Sequence, residues 1–502
     1  MRTPAFTELK LRLEKIHDLE RAKAVLEWDE RTMMPPGGAA ARVEQVASLD
    51  RVQHERISSP EIADLLEAVR PYEDSLDPES DDATLIRQAR REHEKAARVP
   101  AGLRGRLSRA ASLSENAWRE ARANSDFSIL LPHLEDVVAL RRTYIDCFDA
   151  ADPYDVLLDD FEPGMSTAEM ARVLNDFKAE LIPLVAQASE RVDNVDDSFL
   201  HGDFPLERQR ALVQSVVSKL PLPPGGWRLD ETTHPFAAAI ATTDLRITTR
   251  YDRDYFTSSI FCALHELGHA LYDSGVEPAL ERSPLSAPNS LGLHESQSQL
   301  WESAVGRSLS FWRHFYPEAQ AAFPQQLGDI DVERFHRAVN KVQPSFIRVD
   351  ADELTYDLHV ILRFELEQDI FRNRLELRDL PEAWNAKMRE YLGLEVPDDA
   401  HGVLQDVHWA AGEFGYFPTY SLGNVIRGQL WEAATEALPD LDEQFAAGDF
   451  GPLREWLREN LHRHGRKLTA QTAIERITGG PIEVGPYISY LRAKFGEIYA
   501  LA

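Results

Sequence analysis

Cysteine is almost missing from this chain: two residues, Cys147 and Cys262, in 502. That excludes a disulfide framework and a thiolate cluster, so any metal must be held mainly by histidine and carboxylate. Long apolar runs are missing too, which sets aside a membrane-spanning helix. The opening stretch, "MRTPAFTELKLRLEKIHDLERAKAVLEWDERTMMPP", lacks the apolar core and cleavage site of a secretory signal, and the expected location is the cytoplasm. Basic residues are scarce: 55 Lys plus Arg against 84 Asp plus Glu leave a net charge of -29. Such an envelope repels phosphate backbones and anionic lipid, so neither nucleic acid nor a membrane is an expected partner.

What the chain does have is helical periodicity, near 5–30, 40–69, 82–122, 130–150, 166–192, 205–219, 255–274, 292–315, 352–375, 418–437, 452–462 and 485–500. The expected class is mainly α. Breakers such as "PLPPGG" and "SPLSAPNS" punctuate these segments without forming a flexible linker, which favours one large helical unit. Residues 227–252, rich in threonine and aromatics and alternating in polarity, read as a small antiparallel β-sheet placed just before the segment that carries the chemistry.

That segment is "CALHELGHALYD", residues 262–273. On a helix at about 100° per residue, Ser258, Cys262, His265, Glu266, His269 and Asp273 share one sector, while Ile260, Leu264, Leu267 and Leu271 lie opposite. Histidines at i and i+4 can aim two imidazole nitrogens at one ion, and a glutamate directly after the first misses the ion but reaches a water on it. The HExxH pattern also arises by chance; the division into an apolar and a chemically loaded face is what favours a metal site. A third histidine from the same turn is excluded because Tyr272 stands where HExxHxxGxxH needs glycine. Cys262 would close the coordination shell that catalysis needs open, and small cysteines usually pack as hydrophobes. A carboxylate from the next helix, which opens "GLHESQSQLWES", is the natural third ligand. Among His294, Glu295 and Glu302, Glu295 is the choice, against its plainer use in satisfying a helix dipole, with Glu302 as support for a ligand.

Several separated stretches then agree with one family. "HPF" (234–236), "DLRIT" (244–248), "HELGH" (265–269), "HESQ" (294–297), "IRVDADE" (347–353) and "GVLQDVHW" (402–409) stand in the order found in the carboxypeptidase Taq group, peptidase family M32, which the chain resembles. "LEWDERTMMPPGGAAAR" and "GYFPTYSLGN" look similar as well, so the resemblance runs nearly the whole length. It implies metal ligands at His265, His269 and Glu295 and a catalytic Glu266. It also implies a boat-shaped helical fold with a deep central groove, a homodimer, and stepwise removal of C-terminal residues from peptides with broad specificity. The cofactor would be Zn2+, replaceable by Co2+ or Mn2+. Residues 1–502 would form one catalytic domain, with a helical part to about 220 and an active-site part from about 221.

Hydrolysis by activated water produces a negatively charged tetrahedral intermediate, which needs donors; His408, Tyr416 and Tyr420 are the candidates, with His408 and Tyr420 favoured. Both tyrosines have a plainer reading as amphipathic core residues. A free C-terminal carboxylate calls for a guanidinium fork, for which Arg348 is preferred and Arg246 is the runner-up. Asp350, Asp352 and Glu353 offer Arg348 a purely structural pairing instead. His234 lines the groove or simply makes a turn before proline, and Asp406 is placed to orient a histidine. Two other readings stay open: a zinc endopeptidase that also cuts amidated peptides, and an acidic helical binding protein that hydrolyses nothing.

Overall fold

The computed structural model describes residues 2–501, and nearly all of its regular structure is helical. The first long helix, α1 (Pro4–Thr32), opens on a Thr3 cap and lies against a three-stranded sheet, β1 (Trp227–Glu231), β2 (Ala237–Ala241) and β3 (Asp244–Thr249). Four helices then build the site: α2 (Thr257–Gly275), α3 (Leu291–Gln299), α4 (Tyr356–Phe371) and α5 (Phe417–Ala437). Among the described residues no helix is long and apolar enough to cross a membrane.

The sheet sits where the sequence places it, but it is mixed rather than all antiparallel. Its order is β1-β3-β2, with β1 parallel to β3 (Trp227 opposite Leu245) and β2 antiparallel to β3 (Ala237 opposite Ile247). Alternating polarity fixes which side chains share a face but not strand direction, since the pleat has the same period either way. The outer edge of β2 is taken by α1, where Arg21 Nη1 donates to the Ala239 carbonyl at 2.6 Å, so β1 pairs on the far side of β3.

Three expected helices are broken, each by a local rule. The 40–69 segment stops at Ile57 and restarts at Pro60 behind a Ser59 cap. The 82–122 segment divides at Val99, which is extended because Pro100 follows it. The 292–315 segment runs as α3, then a π-helical stretch over Leu300–Val305, then a Ser308-capped helix from Leu309. Short helices such as Val332–Val339 carry too few turns for periodicity to reveal them.

One hydrophobic cluster extends from Val99 to Tyr499 and takes in the apolar face of α2, where Leu264, Leu267 and Leu271 are fully buried. A smaller cluster joins Phe6, Leu9 and Leu13 of α1 to Ile62, Leu66 and the stretch from Val276 to Leu285. The chemically loaded face of α2 is thus held from behind and at its C-terminal exit.

Candidate metal centre

Position on α2 sorts the side chains much as the wheel requires, with Glu266 the exception. Ser258, Cys262, His265, His269 and Asp273 retain partial exposure, whereas the rest of the helix middle, Glu266 included, is buried. Burial pushes the Cys262 thiol up to about 12, which leaves it neutral and a poor ligand. The second ligand helix approaches unusually closely. A Cβ on Gly268 would lie 2.4 Å from the Gln297 carbonyl oxygen, and one on Gly423 of α5 would lie 3.0 Å from Glu295 Cβ. Two glycines therefore let α3 nest between α2 and α5 with no side chain in the way. Its N-terminus is fixed by the Ser290 cap and by buried Glu162, whose Oε2 accepts from Ser290 Oγ at 2.7 Å and from Gly292 N at 3.1 Å.

This packing brings Glu295 Oε2 to 3.7 Å from His265 Nε2 and 3.6 Å from His269 Nε2. All three ligand atoms lie within 4.8 Å of one another. Donors bonded at about 2.0–2.1 Å in a tetrahedron stand about 3.4 Å apart, so the spacing suits one small cation and is too wide for direct hydrogen bonds. Side-chain exposures of 22%, 14% and 10% for His265, His269 and Glu295 leave one side of the group open.

The surrounding charge points the same way. His265 Nδ1 lies 3.0 Å from Glu302 Oε2, and Arg307 Nη2 donates to the other Glu302 oxygen at 3.0 Å. A carboxylate on Nδ1 holds a proton there, so that a cation taking the place of the Nε2 proton would meet a lone pair beside Glu295. Burial opposes charging of His265, but Glu295, Glu302 and Glu266 overcome it and raise its pKa to about 10. Three carboxylates around one imidazole make a place that wants a cation. His269 is driven the other way, well below the ordinary histidine value, by burial and by His294 and His265, so it offers a neutral nitrogen. His294 turns toward Asp273, with 3.5 Å between Nε2 and Oδ2, and stays out of the group.

Removing the charge on Glu302 tests this support without touching a ligand. Glu302→Gln is expected to weaken metal binding about 10- to 100-fold, read by competition with a chelator. Unchanged affinity would mean that the contact merely fills space.

Glu266 is 5% exposed and accepts no hydrogen bond from any described residue. Burial accordingly pushes its carboxyl up to about 7, with His265 pulling down and Glu295 pushing up.

A second group is built on the segment 347–356 and on the chain entering α5, near enough that the Glu295 charge acts on Tyr356, Tyr416 and Tyr420. Arg348 forks onto Asp406, with Nη2 to Oδ1 at 2.9 Å and Nε to Oδ2 at 3.3 Å, while Nη1 donates to Tyr356 OH at 2.9 Å. Fully buried Arg363 shares the same carboxylate, Nη2 to Oδ2 at 2.7 Å. Two guanidiniums on one carboxylate leave a net positive charge, walled by Tyr356, Phe417 and Tyr420, whose ring centroids lie 5.7, 5.6 and 5.1 Å from the Arg348 guanidinium carbon. The nearby acids considered from sequence do other work: Asp352 accepts from the Leu354 and Thr355 amides, and Glu353 pairs with Arg427 and Lys494.

Tyr420 OH lies 3.5 Å from His408 Nε2, and the Tyr416 and Tyr420 rings meet edge-on at 5.2 Å. Burial, with Arg348 and Arg363 adding to it against Asp406, brings His408 down to about 4, so its imidazole is neutral at neutral pH. Asp406 Oδ1 is 4.0 Å from His408 Nδ1, so its own hydrogen bonds go to the arginines rather than the histidine. Two other candidates belong to the sheet that packs against α2 and to its connection. Arg246 spends its fork on Asp244 at 3.0–3.1 Å and lies 4.2 Å over Trp28 of α1. His234 is exposed on the bend between β1 and β2 and makes no side-chain hydrogen bond among the described residues.

Sequence reasoning missed Tyr356, Arg363 and Arg307. Tyr356 and Arg363 stand seven residues apart on α4, a two-turn spacing that was visible. Arg307 reaches Glu302 across five residues through the π-helical turn, which no 3.6-residue wheel pairs.

An HExxH helix with a glutamate from the next helix, on a helical scaffold, defines a class: metal-dependent peptide hydrolases. The description "Carboxypeptidase Taq (M32) metallopeptidase" matches residues 8–495. Thermostable carboxypeptidase 1 of Thermus thermophilus is 42% identical over 486 residues, 95% of each chain, and carboxypeptidase 1 of Bacillus subtilis is 39% identical over 490 residues, 97% of each. The crystal structure of an M32 carboxypeptidase from Deinococcus radiodurans R1 superposes with a TM-score of 0.96 at 39% identity, covering 99% of this chain and 100% of that one. The chain belongs to the carboxypeptidase Taq (M32) metallopeptidases and is a metallocarboxypeptidase.

Proposed function

We propose that the protein is a zinc carboxypeptidase of broad specificity that releases residues one at a time from free peptide C-termini, and that its chain acts as one catalytic unit. The observation that carries this is the grouping of His265, His269 and Glu295, supported by the net positive Arg348 group whose tyrosines lie within reach of the Glu295 charge. Two imidazoles and one carboxylate with an open side suit zinc, and cobalt or manganese would be tolerated by the same donors. When bound, the metal supplies Lewis acidity to the scissile carbonyl and makes water a nucleophile near neutral pH.

The protein's own groups do the rest. Glu266, with both oxygens unspent, takes the proton of the attacking water and passes it to the departing amine. His408 and Tyr420 keep their ring N–H and O–H protons at neutral pH and donate to the oxygen that becomes negative. Tyr416 lies edge-on to Tyr420 and lines the substrate side. Arg348 takes the terminal carboxylate: both arginines fork onto an aspartate, but Arg363 shares Asp406 with Arg348 and leaves one positive charge over, whereas Arg246 and Asp244 pair one to one. His234 has no role here that its exposed bend supports.

Mass spectrometry of an unmodified peptide and its C-terminal amide, each with metal-loaded enzyme, tests the reading. A ladder from the free terminus alone is expected; internal cuts in both peptides would overturn exopeptidase action. Arg348→Lys keeps a charge but loses the planar fork, and is expected to raise KM about 10- to 100-fold with a smaller change in kcat. An unchanged KM would reassign the carboxylate.

A further inference from the structure

Residues 393–416 contain no helix or strand, yet they carry Asp406, His408 and Tyr416, and much of the stretch is buried. An irregular segment of this length inside a compact fold needs something to hold it. Fully buried Glu367, on α4, provides that hold. Its Oε1 accepts from Trp409 Nε1 at 2.7 Å, and its Oε2 accepts from Gly415 N at 2.8 Å and Tyr154 OH at 2.6 Å. No lysine or arginine pairs with it among the described residues; three neutral donors satisfy a carboxylate that burial pushes up to about 7. Trp409 and Gly415 bracket one turn, with His408 directly before it and Tyr416 directly after. The turn is stiff on its own account. Trp409 stacks on Phe414 at an interplanar angle of 11°, and Gly415, at φ 91°, passes so close to Leu157 that a Cβ would lie 2.5 Å from its carbonyl oxygen.

We propose that Glu367 is a positioning residue for hydrolysis: by gripping both ends of the 409–415 turn from inside the protein, it sets where His408 and Tyr416 stand against the substrate. This rests on the reading that those two residues act on the peptide. The grip depends on having two acceptor atoms. In Glu367→Gln the amide oxygen can serve Tyr154 and Gly415 together, but the amide nitrogen then faces the Trp409 indole N–H, donor against donor, and the turn must shift. Phenylalanine at 409 removes the opposing donor, so a second substitution is expected to repair the first.

The test uses the full-length, zinc-loaded enzyme and a peptide with a free C-terminus. Glu367→Gln is expected to lower kcat about 10- to 100-fold, with zinc affinity within about twofold of wild type and the Trp409 indole resonance displaced. Glu367→Gln with Trp409→Phe is expected to regain about fivefold or more over Glu367→Gln alone. A residue that only stabilises the core gives the opposite pattern, with the double variant worse than the single. Wild-type kcat in Glu367→Gln, parallel loss of zinc affinity, or a double variant no better than the single would overturn the proposal. Should Glu367→Gln fail to fold, Tyr154→Phe removes one donor and keeps the carboxylate; a fall in kcat of about three- to tenfold at unchanged zinc affinity is expected, and no change would overturn the idea. Full activity in His408→Ala with the indole resonance still displaced in Glu367→Gln would sink the underlying reading, and the proposal with it, while leaving the grip itself demonstrated.

Discussion

Glu266→Gln is expected to reduce kcat about 10³-fold while the protein keeps its full complement of metal. The substitution is isosteric and leaves the three ligand atoms untouched, since Glu266 stands outside the group formed by His265, His269 and Glu295. What it removes is the one carboxylate at the site that no protein donor engages. Glu295 receives Gln299 Nε2 at 3.2 Å, and Glu302 is held between His265 and Arg307, so neither is free to accept a proton from water and release it again. Glutamine cannot do so at all. The check is kcat alongside metal content per chain on the same preparation. More than about a tenth of wild-type kcat would show that another group acts as the base.

His269→Ala is expected to cost metal first and activity as a consequence. Zinc sites with four protein ligands bind with about 10–16 kcal/mol, roughly 2.5–4 kcal/mol per ligand, so losing one weakens binding by about 50- to 10³-fold. His269 is a sound choice because its Nε2 faces Glu295 at 3.6 Å, while the neighbouring His294 turns its Nε2 toward Asp273 at 3.5 Å. Two readouts separate affinity from chemistry. The rise in melting temperature expected of wild type on adding zinc should vanish at micromolar metal in the variant, since ligand binding stabilises only as far as the site is filled. Activity should return in part at high metal concentration. His294→Ala serves as the control and should retain the shift; a shift retained in His269→Ala would remove that residue from the ligand set.

How much of this was readable depends on how local the determining interaction is. The two faces of α2 follow from side-chain spacing on one helix, and Glu295 was chosen because a proline-broken loop long enough to reverse direction leads into the next helix; the structure groups these same three side chains. The sheet was legible as a sheet but not in its direction, because the occupant of the β2 edge, α1, comes from about 200 residues earlier in the chain. Arg348 marks the same boundary. Its neighbours in sequence, Asp350, Asp352 and Glu353, looked like partners, whereas the carboxylate it binds is 58 positions away and is shared with an arginine from α4. Arg246 and His234 stood in stretches that resemble the family and yet lie against α1 and solvent. A stretch of sequence says which groups are present; only packing says which way they face.

The close seating of α3 between α2 and α5 has a mechanical meaning. Two of the candidate ligands ride on one rigid helix and the third on another, with bare glycine backbone at the seam, so an ion held by all three would act as a gauge of the gap between them. Linkage makes that relation reciprocal: an ion that binds best at one spacing clasps the helices, and whatever prises them apart loosens the ion by the same free energy. Gly268→Ala would be such a wedge, because its methyl group meets main chain, which cannot swing aside.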